Sequence, residues 1–413
     1  MREVVIINGA RTPIGHFGKS FKDVSAVDLG CIAIKAAIER SHITPSMIED
    51  VIMGAIHQEG MGNNPARIAS LKAGIPYFAG ALTVNNVCSS GMKATEIAAR
   101  QIMTGENDIV LAGGMENNSQ CPYMLMNSRW GYRLGTTEVV DALFYDGFTD
   151  TYGTYGGYSH VGETAENIVE DSNEICARYN LDEINLTFEE INKFALESQQ
   201  KYQKAKNENF FNEIVPVELD VKGKSIIIKH DESPRSDVTL EKLNMLKPVF
   251  RKGGLVTPGN TPPLSDGAAA IILMAKESAE ELNLNYLGFW RASVMGNVEP
   301  QYMGIGPIPA IRNLLKKTNL KLNDINIFEI NEAQAQQVLF CIKALGIDRN
   351  KVNVNGGAIA LGHPPGMTGV RLILTVLYEL KRRKERYAIC SQCAGGGTGM
   401  ATLIENSFSN QKI

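Results

Sequence analysis

The sequence predicts an α/β protein made of two similar layered halves, with a loop-rich lobe inserted in the first. Three observations carry this. Strand-like and helix-like stretches alternate at both ends of the chain, as in layered α/β domains. A run of residues near the start recurs near the end at a constant offset. Between them, residues 116 to about 260 are rich in Tyr, Gly, Asn and Met and then turn helical and charged.

The first half opens with a strand over 3–8, a loop over 9–24, a helix over 25–41 and a strand over 50–56. Ser25 followed by Asp28 resembles a capping box. Val27, Ile34 and Ile38 recur at helical spacing, widened by Leu29 and Ile32. A second helix is expected over about 66–73. A strand over 81–86 leads through Val87-Cys88-Ser89-Ser90-Gly91 into a helix from about 90 to 103. The strand Asp108–Ala112 then ends in Gly113-Gly114. In the lobe, helical patterns cover 163–178 and 187–206, and glycines cluster at 153–157.

The last part repeats the first. Ala33-Ile34-Lys35 through Ile38, Ile43 and Ile48 aligns with Ala310-Ile311-Arg312 through Leu315, Leu320 and Ile325. Cys88-Ser89-Ser90-Gly91-Met92 aligns with His363-Pro364-Pro365-Gly366-Met367, and each leads into an amphipathic helix. A strand with glycines at its end follows each, at Gly113-Gly114 and at Gly395-Gly396-Gly397. Cys88 and His363 thereby fall on equivalent strand-to-helix turns, placed to face each other across a pseudo-twofold axis.

Composition narrows the function. The 413 residues are 44% hydrophobic and 21% charged, as in an ordinary soluble fold, and net charge is -4. Nothing marks a nucleic-acid-binding surface. No apolar run approaches the roughly 18 residues of a membrane span. No secretory or transit segment is expected before the first strand, and the C-terminus is not a peroxisomal signal. Seven cysteines, an odd number, fit free thiols and a reducing cytoplasm. The 39 glycines show no collagen period and are expected at tight turns and close backbone approaches.

Several residues carry candidate chemistry. Cys88 at a helix N-terminus meets unpaired N–H groups and a partial positive charge, which favour a reactive thiolate of lowered pKa. A buried structural cysteine is the alternative. His363, presented by a tight Gly/Pro turn, is either a satisfied polar residue or, paired with Cys88, a base or an oxyanion donor. Cys390-Ser391-Gln392-Cys393 raises a metal or redox reading, but no second Cys pair or nearby His completes a zinc set. The glycines after Cys393 allow close backbone approach. Asn331, at a strand end, is either a turn residue or a water holder, and His160 precedes a helix.

Six motifs in order resemble the thiolases, and among them the biosynthetic acetyl-CoA acetyltransferases. They are Asn85-Asn86-Val87-Cys88-Ser89-Ser90-Gly91, Gly113-Gly114-Met115-Glu116, Thr164-Ala165-Glu166-Asn167, Asn331-Glu332-Ala333, Asn355-Gly356-Gly357-Ala358 to His363-Pro364, and Cys393-Ala394-Gly395-Gly396-Gly397. With Val5–Pro13 at the front, the likeness covers almost the whole chain. It implies a five-layered αβαβα fold. Residues 1–119 plus about 265–287 would form the N-terminal half, 120–264 an inserted CoA-binding loop domain, and 288–413 the C-terminal half. It implies homodimers, often paired into homotetramers. Cys88 would be acylated. His363 would activate it and later donate to an enolate oxygen, with a water held by Asn331. Cys393 would protonate leaving CoA and take the α-proton of a second acetyl-CoA. The N–H groups of Cys88 and Gly395 would form the other oxyanion hole. His160, Arg235, Phe250, Met303 and Ala333 would bind substrate and CoA. No metal or resident cofactor is implied, coenzyme A being substrate and product. The expected reaction is condensation of two acetyl-CoA to acetoacetyl-CoA, with degradative 3-ketoacyl-CoA thiolysis as the competing reading.

The chain departs from that family pattern in places. Thr261-Pro262-Pro263 replaces a small run containing a CoA-contacting Ser, and Pro262 offers neither N–H nor hydroxyl. Lys242 stands where a small residue is usual, and is either a CoA-phosphate ligand or a solvated surface lysine. Gln334 replaces Phe, Val161 replaces Met after His160, and the glycine-rich stretch before His160 is longer by a few residues. These changes bear on acyl length and CoA contacts.

Overall fold

In a computed structural model, residues 1–154 and 160–407 are described. The glycine-rich stretch before His160 lies partly outside them. Nine main strands run as β1 (Val4–Arg11), β2 (Asp50–Gly54), β3 (Gly80–Val84), β4 (Ile109–Asn117), β5 (Ser265–Ala275), β6 (Gly288–Asn297), β7 (Ile327–Ile330), β8 (Tyr387–Ala394) and β9 (Thr398–Asn406). Five helices matter most: α1 (Ala26–Arg40), α2 (Ser90–Thr104), α3 (Pro307–Thr318), α4 (Ala335–Leu345) and α5 (Pro365–Arg383).

Among the described residues these strands, with the short Gly15–His16 strand, form one sheet in the order β7-β8-β9-β6-β1-β5-β4-β2-β3. The duplication is visible in that order. From the middle outward, one half reads β1-β5-β4-β2-β3. The other reads β6-β9-β8-β7, and Val352 bridges to Phe328 where a further strand would lie. The equivalent first strands β1 and β6 pair antiparallel, Val5 opposite Phe289, as a twofold between the halves requires. The pairs β2/β4 and β7/β8 are both parallel.

Side-chain alternation along each strand builds the layers. In β1, Val4 and Ile6 point into a central core with Met92, Ile102, Leu372 and Leu377, whereas Val5 and Ile7 join an outer core with Leu29, Ile34 and Ile38. Helices α2 and α5 pack together between the two sheet halves. Helix α1 covers β1, β4 and β5 from one outside face, and α3 covers β6, β8 and β9 from the other. The sequence is thus helix, sheet, helices, sheet, helix. Ser25 caps α1 by accepting from the Asp28 N–H at 3.0 Å.

Between β4 and β5 the chain adds no strand to this sheet. It forms short helices, the long helix Phe188–Asn207 and a hairpin of Val217–Val221 with Lys224–Ile228. A buried ion network fastens it. Arg11 at the end of β1 pairs with Glu213 at 3.2 Å and with Asp231 at 2.6 Å, all with side chains fully covered. Breaking one partner of such a group strands a buried charge, at a cost of about 3–5 kcal/mol.

Two sequence expectations change here. The helix expected over 163–178 is two helices, Glu163–Glu170 and Ser172–Arg178, interrupted at Asp171. The strand expected to end at Gly113-Gly114 runs on to Asn117, so these glycines lie inside β4. Gly395-Gly396-Gly397 lie beyond β8, in the turn to β9, and the two glycine groups are not equivalent. The need at Gly114 is steric. A Cβ there would sit 1.9 Å from the Gly366 carbonyl oxygen, and one at Gly91 would sit 2.5 Å from the same atom. Only bare backbone lets the starts of α2 and α5 approach β4 and each other this closely.

Candidate active site

The two equivalent turns meet over one cavity of about 540 Å³, lined in part by Cys88, His363 and Gly395. Cys88 stands one residue before the N-cap Ser89 of α2. Val87 ahead of it has φ 49°, a left-handed conformation that β-branched residues rarely adopt. The strain is held by local bonds. The Ser90 hydroxyl donates to the Val87 carbonyl at 2.6 Å and accepts from the Asn86 N–H at 2.9 Å. Gln392 donates to the Cys88 carbonyl at 2.7 Å. Such stored strain is typical of sites where one side chain must be presented.

The electrostatics correct one expectation. Burial pushes the Cys88 thiol up to about 11, although the N–H groups of Gly395 and Cys88 itself favour the thiolate. The resting sulfur is a thiol, and helix-end stabilisation does not outweigh its enclosure. Burial, and next Arg371, holds His363 down at about 3, so its imidazole is neutral. The pair at rest is therefore thiol and imidazole, and the base must take the proton during attack.

The imidazole tautomer follows from its neighbours. Thr368 donates its hydroxyl hydrogen to the Pro364 carbonyl at 2.8 Å, one turn back in α5. Its oxygen lies 2.8 Å from His363 Nδ1 and can only accept there. Nδ1 thus carries the hydrogen, and Nε2 presents a lone pair. Asn331 Nδ2 lies 3.4 Å from Nε2, and Asn331 Oδ1 is buried without a protein partner. Thr368 had no motif to announce it. Its signal was its place one helical turn beyond Pro364. Thr368→Val, which keeps the shape and removes the acceptor, is expected to lower kcat by about tenfold or more. That is part of the hundredfold or greater contribution of a placed base. Steady-state rates on the folded variant check it.

Cys393 closes β8 at 1% exposure, beside Cys88 and Cys341. Burial, then the proximity of those two thiols, raises its pKa well above the ordinary thiol value. Cys390 is also buried and protonated. Among the described residues, no group of three or more His, Cys, Asp or Glu is placed to hold a metal ion.

The cavity wall gathers other expected residues. His160 stacks on Phe250 at 4.4 Å between ring centroids and on Phe148 at 5.2 Å, with its Nδ1 accepting from the Gly162 N–H at 2.9 Å. Burial lowers its pKa. Met303, Ala333, Val161, Pro262 and Gln334 also line the cavity. The motif Thr164-Ala165-Glu166-Asn167 supports this wall from behind. Glu166 accepts the Leu255 and Val256 N–H groups at 2.8 Å, and Asn167 donates to the Gln301 carbonyl at 3.1 Å. It fixes the loops carrying Phe250 and Met303. Arg235 is exposed and lies apart from the cavity lining. Lys242 is also exposed and pairs with Asp237 at 2.9 Å. Sequence reasoning missed His57, Phe144 and Phe148 on the wall. They lie in stretches without recognisable patterning.

Cys88 and the neutral His363 share one cavity with Gly395, and Cys393 lies beside Cys88, an arrangement able to carry acyl transfer between thioesters. A model of the thiolase N-terminal domain matches residues 4–277, and one of the thiolase C-terminal domain matches residues 284–406. The chain belongs to the thiolase family and is an acyltransferase. It is 44% identical over 406 residues to a probable acetyl-CoA acyltransferase of Staphylococcus aureus, covering 98% of this chain and 99% of that one. Its structure is similar to that of the Bacillus anthracis acetyl-CoA acetyltransferase, with a TM-score of 0.92 and 41% identity over 98% of this chain and 99% of that one. It is also similar to human mitochondrial 3-ketoacyl-CoA thiolase, with a TM-score of 0.91 and 36% identity over 98% and 99%.

Proposed function

We propose that the protein condenses two acetyl-CoA molecules to acetoacetyl-CoA and CoA, reversibly, through an acetyl thioester on Cys88. The observation that carries this is the meeting of Cys88, His363 and Gly395 on one cavity, with the Gly395 and Cys88 N–H groups favouring charge on the Cys88 sulfur. In this reading those two N–H groups hold the oxyanion that forms when sulfur attacks a thioester carbonyl, and a donor in such a site is worth about 2.7–4 kcal/mol.

In the first half-reaction His363 Nε2 takes the Cys88 proton, sulfur adds to acetyl-CoA, and CoA leaves as Cys393 protonates it. In the second, Cys393 takes the α-proton of another acetyl-CoA. The enolate oxygen is held by His363, whose Nε2 keeps the proton taken from Cys88, and by a water on Asn331. The carbanion attacks the Cys88 thioester, the bond from its carbonyl carbon to sulfur breaks, His363 returns the proton to Cys88, and acetoacetyl-CoA departs. Splitting the carbon–carbon step into two lowers each barrier. His160, Phe250, Met303 and Ala333 guide the thioester arm, and Arg235 meets the far end of CoA. Coenzyme A enters as substrate, with no resident cofactor.

A second reading, thiolysis of longer 3-ketoacyl-CoAs, is favoured by the cavity itself, whose wall includes Leu143, Phe144 and Phe148. CoA-dependent cleavage of 3-ketoacyl-CoAs of increasing length separates the two. Activity confined to acetoacetyl-CoA supports condensation of acetyl units. A preference for long or branched chains rejects it.

The assembly we propose is a homodimer, or a homotetramer built from it. Strand β3 ends the sheet with Leu82 exposed, and Tyr77 and Phe78 project just before it. An open apolar sheet edge is a template for a second copy. All seven cysteines are free, and a mechanism on Cys88 and Cys393 needs them reduced, as in the cytoplasm. No helix among the described residues is long and apolar enough to cross a membrane.

A further inference from the structure

We propose that Glu116 is a positioning residue that holds the Cys88 turn and the His363 turn in register, and that it does so as a carboxylate. The inference rests on the acyl-Cys88 reading and deepens it.

Glu116 lies near the end of β4, fully buried. Its Oε1 accepts the His57 N–H at 3.0 Å. Its Oε2 accepts the Ile56 N–H at 3.2 Å and the Gly366 N–H at 3.0 Å. Gly366 is in the first turn of α5, where backbone N–H groups have no partner inside the helix. The carboxylate therefore caps the helix that starts just after His363. Towards Cys88 the path has one more step. Asn85 Nδ2 donates to the Ile56 carbonyl at 3.3 Å, and Asn85 Oδ1 accepts the Val87 N–H at 3.0 Å. One side chain thus ties the His363 turn directly, and the strained Val87-Cys88 turn through Ile56 and Asn85. The close approach of Gly114 and Gly91 to Gly366 leaves little slack, so a lost bond must be absorbed by the turns themselves.

Three N–H donors require acceptors. An ionised carboxylate supplies them on both oxygens, whereas a protonated one turns an O–H towards an N–H. Burial raises the Glu116 pKa to about 7, against the opposing pull of its three N–H bonds, with Glu59 as a further raising charge. The other titratable groups that feel it are Cys88 and Cys121. The clasp is complete above about pH 7 and is lost as pH falls through that value. His363, held at about 3, does not titrate in this window.

The test is the rate of Cys88 acetylation by acetyl-CoA as a function of pH, in the wild type, Glu116→Gln and Glu116→Asp. The wild type is expected to lose rate on the acid side with a midpoint near pH 7. Glu116→Gln offers one oxygen and turns an NH2 towards an N–H donor. It should acetylate at least about tenfold more slowly, consistent with a lost charge-assisted bond, with an unchanged KM for acetyl-CoA and without the limb near neutrality. Glu116→Asp keeps the charge on a shorter arm, so it should recover part of the rate and keep an acid limb. It also serves if the Gln variant does not fold. A flat wild-type profile from pH 5.5 to 8 would overturn the inference, as would a Gln variant with the wild-type rate and limb. Failure of the wild type to acetylate Cys88 at any pH would instead overturn the reading beneath it.

Discussion

Cys88→Ala is expected to abolish covalent acetylation by acetyl-CoA and to reduce turnover by about 10⁴-fold or more, the scale seen when a nucleophile is deleted. The expectation follows from geometry rather than from a reactive resting thiol. Burial keeps Cys88 protonated below about 11. The strained Val87, the bonds of Ser90 and the Gly395 N–H all serve to place this one sulfur in the cavity. Alanine leaves those supports intact, so the variant should fold and bind CoA while losing acyl transfer. Intact-mass measurement after mixing with acetyl-CoA reads the outcome. A stoichiometric acetyl adduct on the variant would remove Cys88 from its assigned place.

Cys393→Ala should separate the half-reactions. The variant is expected still to acetylate at Cys88, more slowly, because His363 Nε2 remains available as base while the acid for departing CoA is gone. It should then fail to form acetoacetyl-CoA, with condensation falling by about 10²–10⁴-fold, the range for a positioned acid or base. Its buried thiol, raised well above the ordinary value, is a weak acid at rest, so as a thiolate it is a strong base for an α-proton. Mass measurement of the trapped adduct together with a condensation assay distinguishes the steps. Wild-type turnover in this variant would cancel the base assignment.

The sequence disclosed most of the frame because the duplication repeats both pattern and order. Ala33 to Ile48 against Ala310 to Ile325 foretold the two outer helices with the strands that follow, and the structure pairs their halves through β1 and β6. Cys88 and His363 were legible because glycines, small residues and prolines crowd the turns that present them. Other features were not legible. The break at Asp171 leaves the helical periodicity of 163–178 nearly intact, and only the backbone reveals it. The thiol pKa was misjudged because a helix N-terminus is visible in sequence and enclosure is not. Thr368, five residues from His363, stood outside every motif, and its contact to Nδ1 shows only in the structure. Glu116 stood inside a motif, but its bond to the Gly366 N–H spans 250 residues and no local pattern records that partner. Lys242 shows the reverse case. Its type suits phosphate, and the structure sets it at the surface, paired with Asp237.

In the proposed reaction an acetyl group passes through Cys88 from one CoA thioester to the other. A pulse–chase experiment measures it directly. The enzyme is acetylated with isotopically labelled acetyl-CoA, freed of excess, and mixed with unlabelled acetyl-CoA. One label per site is expected on Cys88, recovered only in the terminal acetyl unit of acetoacetyl-CoA, the half farther from the thioester. Label in the thioester-bearing half, or product formed without passage through labelled Cys88, would contradict it.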